Sequence, residues 1–585
     1  MKRLLKYLRE YRLECVLAPA FKMLEACFEL IVPLVIASLI DNGIAQNDRS
    51  VIYLNVVALG VLALVGLTVS LTAQFFAAKA AIGFATRLRS ELFRHLLGLS
   101  YTEVDNIGTS TMITRMTSDV NQAQNGVNMF LRLFLRSPFV VFGAMIMAFT
   151  IDPHIALIFV VTIAVLFMVV ALIMSQNIPA LKRAQDSLDE VTGATREGLN
   201  GIRVIRAFRL ESSFMKDFRD RIGVLTGRLK KAGHISALMN PLTYVLINLG
   251  IVAVIYAGGV RVTSGVLSEG QVVALYNYMC QILVELVKLA NLVVTLNRAM
   301  ASGNRISGVF DITPSMREGN GVDIEDPDDD ELESSADEGR IAVSFRDVSF
   351  AYSGAAEESL KDISFTAYKG QTIGIIGGTG SGKSTVAGLI ARFYDTSGGD
   401  VYLFGHDVKD YTFDQLRSLV GIVMQKAVLF EGTIEDNLRM AAADAPADAL
   451  TDAIAKAQAT EVVAGKGGIE APVEQGGRNF SGGQRQRLSI ARTLAMGAKI
   501  LILDDSSSAL DFATDLGLRR ALKELPSDTT VFIISQRTSS IQHADKILVL
   551  DDGEMAGFDT HDKLLAECEL YREIHNSQLH RSNSQ

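Results

Sequence analysis

The chain has 585 residues, too many for one hydrophobic core, and is 49% hydrophobic with a mean hydropathy of +0.26, high for a soluble protein. Its net charge of -9, with no basic stripe interleaved with aromatics, excludes a general nucleic-acid-binding role. Cys15, Cys27, Cys280 and Cys568 are scattered and have neither metal-ligand spacing nor the pattern of a disulfide framework.

The start, MKRLLKYLREYRL, is basic like a signal peptide, but its charges recur through Arg12 and no uninterrupted apolar core with a small-residue cleavage site follows. It reads as an amphipathic lead-in helix. Six apolar segments of membrane length come next, at about 16–40, 51–77, 128–150, 154–175, 241–262 and 271–296, each long enough for ~30 Å of hydrocarbon. Nothing of that length occurs after residue 310. The intervening charges alternate. Lys79, Arg87, Arg89, Arg94 and Arg115 fall in 78–127, and twelve Lys and Arg fall in 176–240. The 41–50 loop holds only Arg49, and the 151–154 and 263–270 loops hold none. The positive-inside rule then puts both termini in the cytoplasm, with short outer loops and two long basic stretches extending the membrane helices inward.

Polar residues inside these spans are costly unless they face a cavity or a partner. In the sixth span Asn277, Gln281, Glu285, Lys288, Asn291 and Thr295 recur every three or four residues and share one helix face. Either this stripe lines a substrate cavity, or Glu285 and Lys288 form an i,i+3 pair that only neutralises itself. Lys22, Glu25 and Glu29 likewise share a face of the first span.

Between 311 and 340 the chain turns acidic, with GVDIEDPDDDELESSADEG at its centre; such a block reads as a solvated linker. From 341 short strands alternate with helices, the pattern of an α/β domain. The expected organisation is an all-α six-helix transmembrane domain over 1–310, a linker over 311–340, and an α/β P-loop NTPase domain over 341–585.

The motif GIIGGTGSGKST contains Gly377-x4-Gly382-Lys383-Ser384, a P-loop. Backbone N–H groups wrap a phosphate only where bulky side chains are missing, hence Gly377, Gly378, Gly380 and Gly382, with Thr379 and Ser381 between them. Lys383 reaches the β and γ phosphates, the Ser384 hydroxyl ligates Mg2+, and Thr385 continues into a helix whose N-terminus faces the anion. Further on, FSGGQRQR contains Ser481, Gly482, Gly483 and Gln484. ILILDDSSSALD, at 500–511, delivers Asp504 and Asp505 at the end of an apolar strand and finishes on Asp511. ISQRTSS places Gln536 thirty-one residues after Asp505.

In this order the motifs resemble an ABC exporter half-transporter, six membrane helices fused to one ATP-binding cassette, and the resemblance covers all but the linker. FSGGQ is similar to the family signature LSGGQ. The resemblance implies that Tyr352 stacks on adenine and that Gln425 and Asp504 join Ser384 around Mg2+. It implies that the 508–511 loop crosses a dimer interface, and that PVEQGG precedes the signature as in exporter cassettes. It also implies a multi-pass plasma-membrane protein with a cytoplasmic cassette, working as a dimer that sandwiches ATP between one P-loop and the partner's signature. Loop tips near 103–109 and 207–213 would dock on cassettes, one of them on the partner's.

Two positions depart from the family pattern. Asp505 stands where a glutamate handles the attacking water; a carboxylate one methylene shorter falls roughly 1–1.5 Å short, a misplacement on the order of 100-fold in rate. Gln536 stands where a histidine contacts the γ-phosphate; an amide hydrogen-bonds but takes up no proton. The expected function is therefore a subunit with a slow ATP site and an intact signature, paired with a partner half-transporter that hydrolyses ATP and moves small amphiphilic substrates out through the bilayer. The alternatives are a slow homodimeric exporter and a non-hydrolytic ATP-gated regulatory membrane protein.

Overall fold

The computed structural model describes residues 2–322 and 340–582; most of the acidic block, 323–339, lies outside them. The chain divides into two compact units, one of Met1–His95 with Ser110–Ile312 and one of Leu96–Thr109 with Thr313–Gln585.

In the first unit, six helices among the described residues are long and apolar enough to cross a membrane: Arg3–Ile44, Arg49–Leu97, Thr109–Ile151, Pro153–Asn200, Glu211–Thr263 and Glu269–Phe310. Each contains one of the six apolar segments read from the sequence. The longest has 53 residues, which at 1.5 Å per residue is roughly 80 Å, more than twice the hydrocarbon thickness. Their interior is apolar, with Phe159, Leu166, Val254, Leu275 and Tyr278 almost fully buried. Outward-facing Leu54, Val57, Leu64 and Leu71 are exposed along the second helix, as expected of a surface meant for lipid or another chain. Asp152 caps the fourth span by accepting from the N–H groups of His154 and Ile155, and Pro153 occupies its first position, where no N–H is needed.

The second unit is built on a six-stranded sheet ordered Glu554–Asp559, Lys546–Asp551, Thr372–Gly377, Thr530–Ile534, Ile500–Asp504 and Val420–Val423. The last five strands are parallel and the first is an antiparallel edge. Ile375, Ile502, Phe532 and Leu548 are almost fully buried, which is why these strands read as continuous apolar runs. A second, antiparallel sheet of Leu360–Tyr368, Ile341–Phe350, Gly398–Leu403 and His406–Asp407 completes the core.

This unit differs from the expected boundaries. It starts at Thr313 rather than 341, because the N–H groups of Gly319 and Gly321 bond to the carbonyls of Tyr411 and Asp410, and Arg392 donates to the Arg317 carbonyl. It also takes in the first loop tip. On the short helix Tyr101–Ile107, the Tyr101 ring stacks on Phe393 at 4.4 Å and Tyr394 donates to Asp105 at 2.8 Å. That tip docks on this chain's own cassette. At the other tip, Phe208 is 69% exposed.

Candidate functional site

The parallel sheet determines where the chemistry collects. Ile534 lies in register with both Ile375 and Asp504, and Leu550 with Gly377, so four neighbouring strands end together beside one crevice. Ligands of doubly wound sheets bind at such an end. Here it is a cavity of about 390 Å3, lined by Tyr352, Thr379, Gly380, Gly382, Lys383, Ser384, Thr385, Gln425, Asp504, Asp505 and Gln536. Eleven residues named from the sequence therefore meet at one place. Ser359 and Ser535 also line it; the sequence offered no signal for Ser359, whereas Ser535 follows directly from the strand end before Gln536.

The loop of the cavity is shaped by its glycines. Gly380 and Gly382 have φ of 88° and 92°, the left-handed region that disfavours a side chain. A Cβ at Gly382 would also lie 2.7 Å from the Ser359 carbonyl oxygen, and one at Gly377 2.1 Å from that of Leu550. Lys383 is 9% exposed, and its ammonium donates to the carbonyls of Gly377 at 3.0 Å and Gly378 at 2.5 Å and to the Ser381 hydroxyl at 3.3 Å. Burial lowers its pKa, against the attraction of Asp504 and Asp505. Burial likewise raises the Asp504 carboxyl, opposed by the Ser384 hydroxyl, which donates to it at 3.1 Å; Asp505 raises it further. Two neighbouring carboxylates and a hydroxyl form a hard oxygen site that gains from a divalent cation. One carboxylate plus Ser384 and Gln425 is the sparse donor set that Mg2+ accepts when phosphates complete its shell.

Tyr352, 37% exposed, follows the strand Ile341–Phe350, and its hydroxyl meets that of Thr385 at 3.1 Å. Gln425 approaches Asp505 through Nε2 at 3.5 Å, a long contact. Asp505 has φ of 45°, a conformation that aspartate tolerates better than most residues. The signature residues lie apart from this cavity. Ser481 caps the helix Gly482–Ala495, accepting from the Gln484 N–H while Gln484 accepts from the Ser481 N–H. A Cβ on Gly483 would lie 2.8 Å from the Ala509 carbonyl oxygen, so the signature and the 508–511 loop are pressed together. Asp511 accepts from the Thr514 N–H and caps the helix Phe512–Leu522.

Residues 15–286 match the family described as ABC transporter transmembrane region, and residues 360–508 match the ABC transporter family. An ABC transporter ATP-binding protein of Mycobacterium tuberculosis is 34% identical over 579 residues, 98% of this chain and 97% of its own. This chain belongs to the ABC transporter family. An ATP-dependent lipid A-core flippase of Mannheimia succiniciproducens is 29% identical over 581 residues, 99% of this chain and 97% of its own. A bacterial Atm1-family ABC exporter solved with ATP bound shares the fold, with a TM-score of 0.79 and 21% identity over 97% of this chain and 98% of its own. The transporter is thus a multi-pass membrane protein whose cassette binds ATP and whose ATPase activity is coupled to transport.

The polar stripe of the transporter's sixth span is resolved in detail. Glu285 is 3% exposed and does pair with Lys288, at 2.8 Å, but it also accepts from Arg136 at 2.5 Å and Ser137 at 2.7 Å. Arg136 donates to both Glu29 oxygens at 2.7 Å and lies 4.0 Å from Glu25, which Lys22 contacts at 2.5 Å. The two polar faces noted in spans one and six are therefore one network of three cations and three carboxylates. Its central residue is Arg136, whose signal in the sequence is an arginine that, with Arg132, interrupts the apolar run of the third span. Gln281 donates to the Glu29 carbonyl and Asn277 to the Val273 carbonyl, so both amides are partly engaged by backbone.

Proposed function

We propose that this chain is one subunit of a heterodimeric exporter, in which its own P-loop site turns ATP over slowly and its signature serves the partner's fast site. The observation that carries this reading is the pairing of Asp505 and Gln536 at one cavity. The shorter carboxylate and the amide weaken the positioning and proton handling that hydrolysis needs, while Lys383, Ser384 and Asp504 keep what binding needs. Mg2+ held by Ser384, Asp504 and Gln425 would supply charge neutralisation at the phosphates. In a homodimer both sites would be slow; a partner with glutamate and histidine at these positions supplies one fast site. Exposed Phe208 and Leu210 on the second loop tip suit docking on the partner's cassette.

The cargo class is amphiphilic. The partly exposed Asn277, Gln281 and Lys288 offer polar contacts beside lipid-facing apolar helices, with buried Glu285 holding Lys288 in place, and a relative of like length carries a lipid flippase name. The basic loops support a cytoplasmic cassette at the plasma membrane, and the fusion of six spans to one cassette, as in exporters, supports outward transport. A homodimer with slow turnover is the second reading, favoured by the carboxylate that Asp505 still presents to the cavity. The deciding experiment is ATPase activity of the purified chain, alone and with a co-expressed similar half-transporter. Negligible activity alone and robust activity together supports the heterodimer; robust activity alone overturns it.

A further inference from the structure

The helix Glu569–Ser582 ends the described chain and packs against the back of the nucleotide site. Its Tyr571 is fully buried beside Ile376, the residue before Gly377, and beside Ile541. Seven residues on, and so on the same helix face, Gln578 reaches the segment that carries Gln536. Its Oε1 accepts from the Thr538 N–H at 2.9 Å and from the Thr538 hydroxyl at 3.1 Å. Its Nε2 donates to the Gln536 carbonyl at 2.8 Å. The helix Thr538–Ile541 has no side-chain cap of its own at Arg537, so its first turn has a free N–H donor that Gln578 satisfies from 40 residues away. A terminal amide offers a donor and an acceptor at one end, so it can hold both sides of the 536–538 backbone at once.

We infer that Gln578 is a positioning residue: it fixes the backbone on which the Gln536 side chain faces the nucleotide, and so couples the seating of the last helix to γ-phosphate recognition. This rests on the reading that Gln536 contacts the γ-phosphate. Gln578→Glu keeps the size and the helix but replaces the donor facing the Gln536 carbonyl with an acceptor, which repels it. Gln578→Ala removes the clamp without repulsion and acts in the same direction. Neither substitution touches the hydrophobic seat formed by Tyr571 and Ile541.

The test is competition of ATP and of ADP against a fluorescent nucleotide, on the full-length chain in lipid nanodiscs. The preference for ATP over ADP is read for wild type, Gln536→Ala, Gln578→Glu, Gln578→Ala and the double variant Gln536→Ala with Gln578→Glu. The expected result is a ~5–10-fold loss of that preference in Gln578→Glu, with no further loss when Gln536→Ala is already present. A residue that merely held the tail would change both nucleotides alike. If Gln536→Ala shifts the preference and neither Gln578 variant does, the positioning role is overturned and the γ-phosphate reading stands. If Gln536→Ala is itself silent, that reading fails and the inference falls with it. An equal effect of Gln578→Glu in both backgrounds also overturns it, because Gln578 would then act elsewhere.

Discussion

If the site is slow as proposed, the combined change Asp505→Glu with Gln536→His should speed it, and the size of the gain can be worked from the geometry. Adding one methylene advances the carboxylate by about 1.5 Å, recovering on the order of 100-fold in rate, or about 2.7 kcal/mol of barrier. Against this, Asp505 occupies left-handed backbone at φ 45°, where a longer side chain is less comfortable by roughly 1 kcal/mol. That strain is present in ground state and transition state alike, so it lowers the melting temperature without subtracting from the rate. The Gln536→His change adds a group able to take up a proton next to the same cavity. The assay is phosphate release from the assembled transporter whose partner P-loop lysine has been replaced, so that only this chain's site turns over. A rise of about 100-fold with a small drop in melting temperature is expected. Unchanged turnover with ATP still bound would refute the reasoning, because neither residue would then set the rate.

Arg136→Met leaves Glu285 and Glu29 buried or half-buried without their shared cation and should destabilise the membrane unit by about 3–5 kcal/mol. Adding Glu285→Gln should return part of that loss in denaturant unfolding from micelles, a coupling that unlinked sites would not show. Gly483→Ala forces a methyl to 2.8 Å from the Ala509 carbonyl oxygen, displacing the 508–511 loop; partner-supported ATPase should fall at least ~10-fold, with a loss of stability of about 1–3 kcal/mol. His561 contacts the Tyr571 hydroxyl at 2.7 Å, and burial, then His575, lowers its pKa below 6.5. The folded chain therefore holds fewer protons on this group than the unfolded one, so its contribution is full above about pH 6.5 and fades as pH falls through the lowered value. Thermal unfolding of the solubilised chain should lose stability between about pH 7.5 and 5.5, less so in His561→Gln.

What could be read in advance divides by the kind of physics involved. A loop that wraps a phosphate needs small residues and a cation at fixed offsets, so Gly377, Gly382, Lys383 and Ser384 announce themselves within eight positions. Membrane spans announce themselves by length alone. Partners chosen by the fold do not. Arg136 meets Glu285 across 149 residues and Glu29 across 107. Each carboxylate was conspicuous on its own helix, yet only packing shows that one guanidinium joins them. The first loop tip could be placed by counting, but its stack on Phe393 depends on a side-chain meeting between Tyr101 and a residue in the other half of the chain.

Gln578 shows the limit most clearly. A lone glutamine near a polar terminus has no pattern around it, and its meaning lies entirely in the two backbone groups it joins. The same holds for Asp505. In sequence it reads as a shortened glutamate, a pure deficit. In the structure it occupies left-handed backbone that aspartate tolerates better than most side chains. A site selected for holding ATP rather than hydrolysing it would favour that residue on both counts. The double substitution separates the two effects, since reach acts on rate and backbone strain acts on stability.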